Sequence, residues 1–109
     1  MLSWVSPVNT KLQENPTLRV DGQYIAASLW GDSGEANYPT VVLLSAASPT
    51  PNTPIWTYVT PGSMFAVDVA VVSNATADAI FLTASGKATP ANEFGNGGNA
   101  YGWQIVATK

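Results

Sequence analysis

Cysteine and histidine are both absent from the 109 residues of this chain. Without cysteine, the chain has no disulfide, no thiolate nucleophile and no cysteine-ligated metal. Without histidine, it also lacks the commonest general base and the commonest metal ligand of proteins. These absences exclude Ser-His-Asp triads, Cys-His pairs and most zinc sites. We therefore expect a protein that is not an enzyme and that carries no metal and no cofactor.

Charge is scarce as well. Charged residues make up 10% of the chain, against roughly 25% in an average soluble domain. Four cations and a formal net charge of −3 disfavour nucleic acid as a partner, because its binding depends on clustered Lys and Arg. The sequence shows no signal peptide, and no apolar run approaches the roughly 20 residues that cross a bilayer. We expect a soluble chain without a membrane segment, whose compartment the sequence leaves unknown.

The pattern that is present is one of strands and turns. Short runs rich in Val, Ile, Thr, Tyr and Trp alternate with clusters of Gly, Pro, Asn and Ser, and the length fits one domain. A hydrophobic fraction of 46% excludes a disordered chain. The pattern predicts eight strands, at residues 2–6, 17–20, 24–29, 40–45, 55–59, 64–72, 79–84 and 100–107.

An internal repeat organises these strands. Trp4 and Trp56 stand at matching places, each in a strand that is followed by a proline. The other matches join residues 18–20 with 67–69, 24–28 with 80–84, and 41–44 with 101–106. Repeats of this length mark units that bury their apolar faces by stacking on one another. The chain is therefore interpreted as a single domain, 1–109, with repeat units at about 1–53 and 54–109.

Four segments carry a more specific pattern: residues 21–28 (Asp-Gly-Gln-Tyr-Ile-Ala-Ala-Ser), 30–31 (Trp-Gly), 54–69 and 95–101. They resemble the blades of bacterial β-propellers of the WD40-like or quinoprotein-like (PQQ-like) kind. In those blades an outer strand with a Trp, a Gly-containing turn and an inner strand recur. The Trp-Asp dipeptide of strict WD40 repeats is missing, as are the Gly and Asp positions of the quinoprotein pattern. The resemblance therefore implies a fold but no subfamily's ligand.

The resemblance implies an all-β fold with two four-stranded antiparallel blades per chain, in the strand order d-abc-d-abc. Two blades cannot close a ring, because propellers need roughly four to eight. Copies would join head to tail, each lending residues 2–6 to the last blade of its neighbour as a velcro closure. A trimer would have six blades and a tetramer eight. A β-sandwich or jelly roll is the alternative, because a doubly buried strand such as 65–72 suits either fold.

Candidate ligand-binding residues lie in two polar loops that we expect on one rim of the fold, since loops on a rigid frame commonly carry function. Their aromatic, amide and carboxylate groups suit a polar ligand such as a glycan or a peptide. The candidates are Trp30, Asp32, Tyr38, Asn92, Glu93, Phe94, Asn96 and Asn99. Alternatively, the loop glycines only shape turns, and Trp30 and Phe94 cap the core.

Asp68 is an acid inside a strongly apolar strand, and Arg19 holds the matching place in the other unit. An unpaired buried charge is costly, so we predict a structural ion pair between Arg19 and Asp68 of alternating units. The sequence as a whole predicts a non-catalytic binding or scaffold module. A fragment of a larger propeller enzyme, or a structural capsid, fibre or surface-layer domain, remains as an alternative.

Overall fold

The structure, a computed structural model, describes residues 17–28, 39–59, 64–86 and 99–109 of the chain. These residues form strands β1 (Leu18–Asp21), β2 (Tyr24–Ser28), β3 (Pro39–Ser45), β4 (Trp56–Val59), β5 (Met64–Ser73), β6 (Ala77–Gly86) and β7 (Asn99–Thr108). The all-β prediction is confirmed for this part of the chain, and the predicted strands within it are found with their ends displaced by one or two residues. The predicted strand 2–6 lies outside the described residues.

Short turns set where two of the strand pairs begin and end. Gly22, in the turn between β1 and β2, has a φ of 59°, a left-handed conformation that glycine adopts without steric cost. Between β5 and β6, Asn74 Oδ1 accepts hydrogen bonds from the backbone N–H groups of Thr76 (2.8 Å) and Ala77 (2.9 Å). Such an Asx-type turn favours chain reversal at this point, and the backbone N–H of Lys109 also donates to the backbone oxygen of Thr76 over 2.8 Å.

The strands form two antiparallel sheets. The first sheet has the order β1-β2-β3-β4 and the second the order β5-β6-β7. Each sheet is a meander in which every strand pairs with the next one in the chain. The predicted a-b-c-d order is thus found complete in the first sheet. The second sheet has three strands within the described residues, not four, and neither sheet closes on itself.

The sheets pack face to face around one core, to which both contribute alternate residues of their strands. Because successive side chains of a strand point to opposite faces, every second side chain of each strand points into the space between the two sheets. The buried residues of this core are Tyr24, Ala26, Val41, Leu43, Met64, Val67, Val69, Ile80, Leu82 and Ala84.

The space between the sheets is wedge-shaped. On one side the backbone of β5 lies close to β1 and β2, and the side chains between them are small, as at Ala26 and Val69. On the other side the backbones of β4 and β7 do not approach as closely. Trp56 of β4 and Trp103 of β7 bridge that wider gap, with ring centroids 5.0 Å apart.

Two expectations about burial are corrected. The strand at 65–72 was expected to be buried on both faces, but β5 alternates: Val67 and Val69 are buried, whereas Asp68 and Ala70 are exposed. The doubly buried strand is β3, whose residues from Thr40 to Ser45 are all buried. Its continuous Val-Val-Leu-Leu run is typical of a strand that is buried on both faces.

The strand register changes the alignment of the internal repeat by one residue from the alignment that the sequence suggested. Arg19 pairs with Ala26, and its counterpart Asp68 pairs with Thr83. When β1 is superposed on β5, residues 24–28 therefore correspond to 81–85, not to 80–84. The sequences agree with this register, because Tyr-Ile-Ala-Ala-Ser matches Phe-Leu-Thr-Ala-Ser at each step. Residues 41–44 correspond in the same way to 100–103.

Candidate functional site

The predicted ligand rim falls mostly on residues that the structure does not describe. Asn99 is the exception: it is the first residue of β7, is exposed, and pairs with Gly86. The candidates outside the described residues are Trp30, Asp32, Tyr38, Asn92, Glu93, Phe94 and Asn96. These ligand-binding assignments stay predictions.

The strand ends that border the predicted rim do lie at one end of the fold. Ser28 pairs with Val41 at the ends of β2 and β3 that border the connection 29–38. Gly86 pairs with both Met64 and Asn99 at the matching end of the second sheet. The two sheets are joined there by the Tyr58–Tyr101 ring contact, with centroids 5.7 Å apart. The strand ends that border these loops therefore lie on one side of the fold.

The predicted pair of Arg19 and Asp68 is not formed within the chain. Both residues are exposed; Arg19 donates a hydrogen bond to the backbone oxygen of Leu18 (2.9 Å), and Asp68 accepts one from the N–H of Val69 (2.8 Å). Asp68 is exposed because it lies on the outer face of the second sheet. The pair was predicted between alternating units of an assembly, so it stays a prediction at that level.

A polar cluster around the buried side chains of Tyr24 and Asp78 lies at the opposite end of the fold from the predicted rim. The Tyr24 hydroxyl of β2 donates to Asp78 Oδ2 of β6 over 2.5 Å, and the Ser73 hydroxyl of β5 donates to Asp78 Oδ1 over 2.5 Å. Lys109 Nζ lies 3.4 Å from Asp78 Oδ1 and donates to the backbone oxygen of Asn74 over 2.8 Å. The Tyr24–Asp78 bond connects the two sheets.

The electrostatics of this cluster favour a charged carboxylate. The hydrogen bonds from Ser73 and Tyr24, together with the Lys109 ammonium, hold the pKa of the Asp78 carboxyl below its usual range, although burial opposes the shift. Burial and the bond to Asp78 raise the pKa of the Tyr24 phenol above its usual value. Asp78 is thus a firmly ionised acceptor and Tyr24 a firmly neutral donor at neutral pH. This arrangement stabilises the contact between the two sheets.

A second inter-sheet link lies beside the cluster. Asp21 Oδ2, at the end of β1, accepts a hydrogen bond from the backbone N–H of Val71 in β5 over 2.9 Å. A cleft of about 430 Å³ runs past the cluster and is bordered by Tyr24, Asp78 and Lys109. Both oxygens of Asp78 already accept hydrogen bonds from protein donors.

The wide side of the wedge is filled by four half-buried aromatic rings. Trp56 and Tyr58 of β4 are stacked on each other, and Tyr101 and Trp103 of β7 are stacked likewise, with interplanar angles of 12° and 5°. Tyr58 and Trp103 meet across the sheets with centroids 4.9 Å apart. Such ring pairs add stability beyond the area that they bury.

Sequence reasoning did not find the Tyr24–Asp78 cluster. Its signals in the sequence were Tyr24, which directly follows the Gly22-Gln23 turn, and Asp78, which precedes a run of apolar residues 54 residues later. Within residues 17–28, 39–59, 64–86 and 99–109, no three His, Cys, Asp or Glu side chains gather in a way that could hold a metal ion. The same residues contain no helix with the length and hydrophobicity needed to cross a bilayer.

Comparison with known proteins identifies no relative. No protein-family model, no curated protein and no solved structure matches this chain.

Proposed function

We propose that the chain is a non-catalytic binding or scaffold module built from two β-propeller-type blades, which presents one rim of loops to a polar ligand such as a glycan or a peptide. The observation that carries this proposal is the wedge between the two meanders. They are close together at their first strands, β1 and β5, and farther apart at β4 and β7. Blades arranged around an axis diverge in this way, because inner strands crowd around the axis and outer strands spread away from it.

The two ends of the fold suit different roles, one structural and one in ligand binding. At one end, Tyr24, Ser73, Asp78 and Lys109 use their polar groups on one another, which suits a structural clamp. The strand ends that border 29–38, 60–63 and 87–98 all lie at the other end. The loop sequences there are rich in aromatic and amide side chains, which suit a polar neutral ligand.

The proposal includes self-association. Two sheets do not make a ring, so copies would join head to tail into a trimer with six blades or a tetramer with eight. Within the described residues β7 pairs only with β6, and a ten-residue edge strand without a partner favours aggregation. Residues 2–6 of a neighbouring copy would cover this edge as a fourth strand.

Ligand binding is tested by screening the purified chain on glycan and peptide arrays, followed by Trp30→Ala and Phe94→Ala variants against the strongest hit. We expect both variants to weaken binding while the melting temperature stays within a few degrees. Gln23→Ala is the matched control, because Gln23 is exposed at the opposite end of the fold. A large loss of stability with unchanged binding would show that Trp30 and Phe94 cap the core and that the rim is not a ligand site.

A fragment of a larger propeller enzyme is the second candidate. The exposed apolar side chains on the outer faces of both sheets favour it, because blades of a longer chain could cover them. Catalytic groups would then lie in other blades. Light scattering separates the two candidates, since a fragment would behave as a monomer of 11.4 kDa and a ring would have at least three times that mass.

A further inference from the structure

The cleft beside the polar cluster has the size of a small-molecule site, and it lies at the end of the fold opposite the predicted rim. Its volume is about 430 Å³, and residues of both sheets border it. Ligand pockets of proteins commonly measure about 300–1,000 Å³, so this cleft suits a small ligand. The connection between β3 and β4 and the last residues of β7 complete its border.

Ser45, at the end of β3, is the residue of this cleft that points to a ligand. Its side chain borders the cleft, and the residue is only 5% exposed. Ser45 pairs with Tyr24 in the strand register, so both side chains point to the inner face of the first sheet. Among the described residues, none forms a hydrogen bond with the Ser45 hydroxyl. Buried polar groups nearly always have a partner, because an unpaired one is costly, so this hydroxyl requires water or a ligand.

Lys109 adds a hydrogen-bond donor to the same cleft. Its ammonium has three N–H groups, donates to the backbone oxygen of Asn74 over 2.8 Å and lies 3.4 Å from Asp78 Oδ1. The Lys109 side chain is 46% exposed, so a third N–H group can donate to a molecule in the cleft. The adjacent charges of Lys109 and Asp78 offset each other, so the cleft favours a neutral ligand over an ion.

Apolar side chains also border the cleft. Ile55, Ile105 and Ala107 all lie along it, and none of them is fully buried. A largely apolar surface with a few polar groups is the usual composition of a small-molecule site, since the polar groups fix the orientation of the ligand. A sugar ring matches this composition, because it has an apolar C–H face and hydroxyl groups that both donate and accept hydrogen bonds.

We infer that this cleft binds a monosaccharide, with one sugar hydroxyl bonded to the Ser45 hydroxyl and another accepting a hydrogen bond from Lys109 Nζ. The Ser45 hydroxyl then has the partner that the described residues do not supply. An anionic ligand would be repelled by Asp78, and a cationic one by Lys109. The site lies at the other end of the fold from the predicted rim, so it goes beyond the proposed function and does not depend on it.

The test is an NMR titration of the ¹⁵N-labelled full chain with glucose, galactose and N-acetylglucosamine. Each sugar is added to about 50 mM, which reveals dissociation constants in the millimolar range. We expect at least one sugar to shift the amide signals of Ser45, Ile105 and Ala107. Ser45→Ala should weaken this binding by about five- to tenfold, the effect of one lost hydrogen bond, and should leave the fold intact. Thr83→Ala is the matched control, because it removes a hydroxyl from the exposed outer face of the second sheet, and it should bind as the wild type does.

A second variant and a second probe make the result decisive. Ala107→Phe fills the cleft from a partly exposed position and should abolish the shifts, which decides the matter if Ser45→Ala unfolds. The inference is overturned if no sugar shifts the amides of the cleft, because the Ser45 hydroxyl is then bonded to water only. Unchanged affinity in Ser45→Ala also overturns it. Shifts caused by N-acetyl-triglycine amide and by no sugar would show that the cleft binds peptide. Shifts confined to Ser28 and Asn99 would support the loop rim and exclude this site.

Discussion

Leu82 and Thr83 are neighbours in β6 whose side chains lie on opposite faces, so alanine substitutions at the two positions should differ widely in cost. Leu82 is fully buried between Val69 and Trp103 on the adjacent strands. Removing three carbon groups at about 0.8 kcal/mol each loses roughly 2.4 kcal/mol of transfer free energy. The cavity adds to this, and we expect Leu82→Ala to lower the free energy of unfolding by about 3–4 kcal/mol.

Thr83→Ala is the control, because Thr83 is exposed on the outer face and surface substitutions usually change stability by about 0.5 kcal/mol or less. Urea unfolding followed by tryptophan fluorescence measures both variants. The melting temperature of Leu82→Ala should also fall by more than about 10 °C, since each kcal/mol shifts a domain of this size by several degrees. Costs that agree within about 1 kcal/mol would show that the strand parity of β6, and with it the core, is assigned incorrectly.

Three further perturbations test other features. The pKa of Asp78 is lowered in the folded chain, so its stabilising effect is present above the ordinary carboxyl pKa and is lost as pH falls through the lowered value. Asp78→Asn should therefore flatten the dependence of the urea midpoint on pH in acid. An unchanged slope would contradict this. Gly22→Ala should lower the free energy of unfolding by about 1–2 kcal/mol in thermal melts, because its backbone is left-handed. Gly102→Ala should lower it by less, since there is open space for a methyl group at that position. Equal losses would refute the assigned turn. If the proposed assembly forms, deleting residues 1–8 should convert it into insoluble or unfolded chains, and a stable, folded deletion variant of unchanged mass would refute the proposal that residues 2–6 pair with a neighbouring copy.

Local pattern predicted the strands well, because β-branched runs between Gly, Pro and Asn are a property of short segments. Periodicity did not predict which face each strand would bury. Phe65 to Val72 is apolar almost throughout, so the sequence indicated a doubly buried strand, but in β5 only one parity meets the first sheet. β3 has a similar run and is buried on both faces, because Val41 and Leu43 lie in the core between the sheets while Val42 and Leu44 are buried on the opposite face.

The polar cluster could not be predicted for a different reason. Tyr24 and Asp78 come into contact only when the two meanders pack together, so no spacing within a short segment of the sequence predicts the contact. Asp68 drew attention instead because it interrupts an apolar run, and the register then placed it on the outer face. Pairing between distant strands decides such cases, and one sequence does not contain that information in a local form.

The position of β3 determines how this fold would open. β3 is paired on both edges, with β2 and β4, and is buried on both faces, so no local fluctuation exposes its amides to water. In native-state hydrogen exchange its N–H groups should be the slowest of the described strands, exchanging only through complete unfolding, whereas β1 and β7 should exchange through fraying. The centre of the first sheet would then be the last part of the described fold to open.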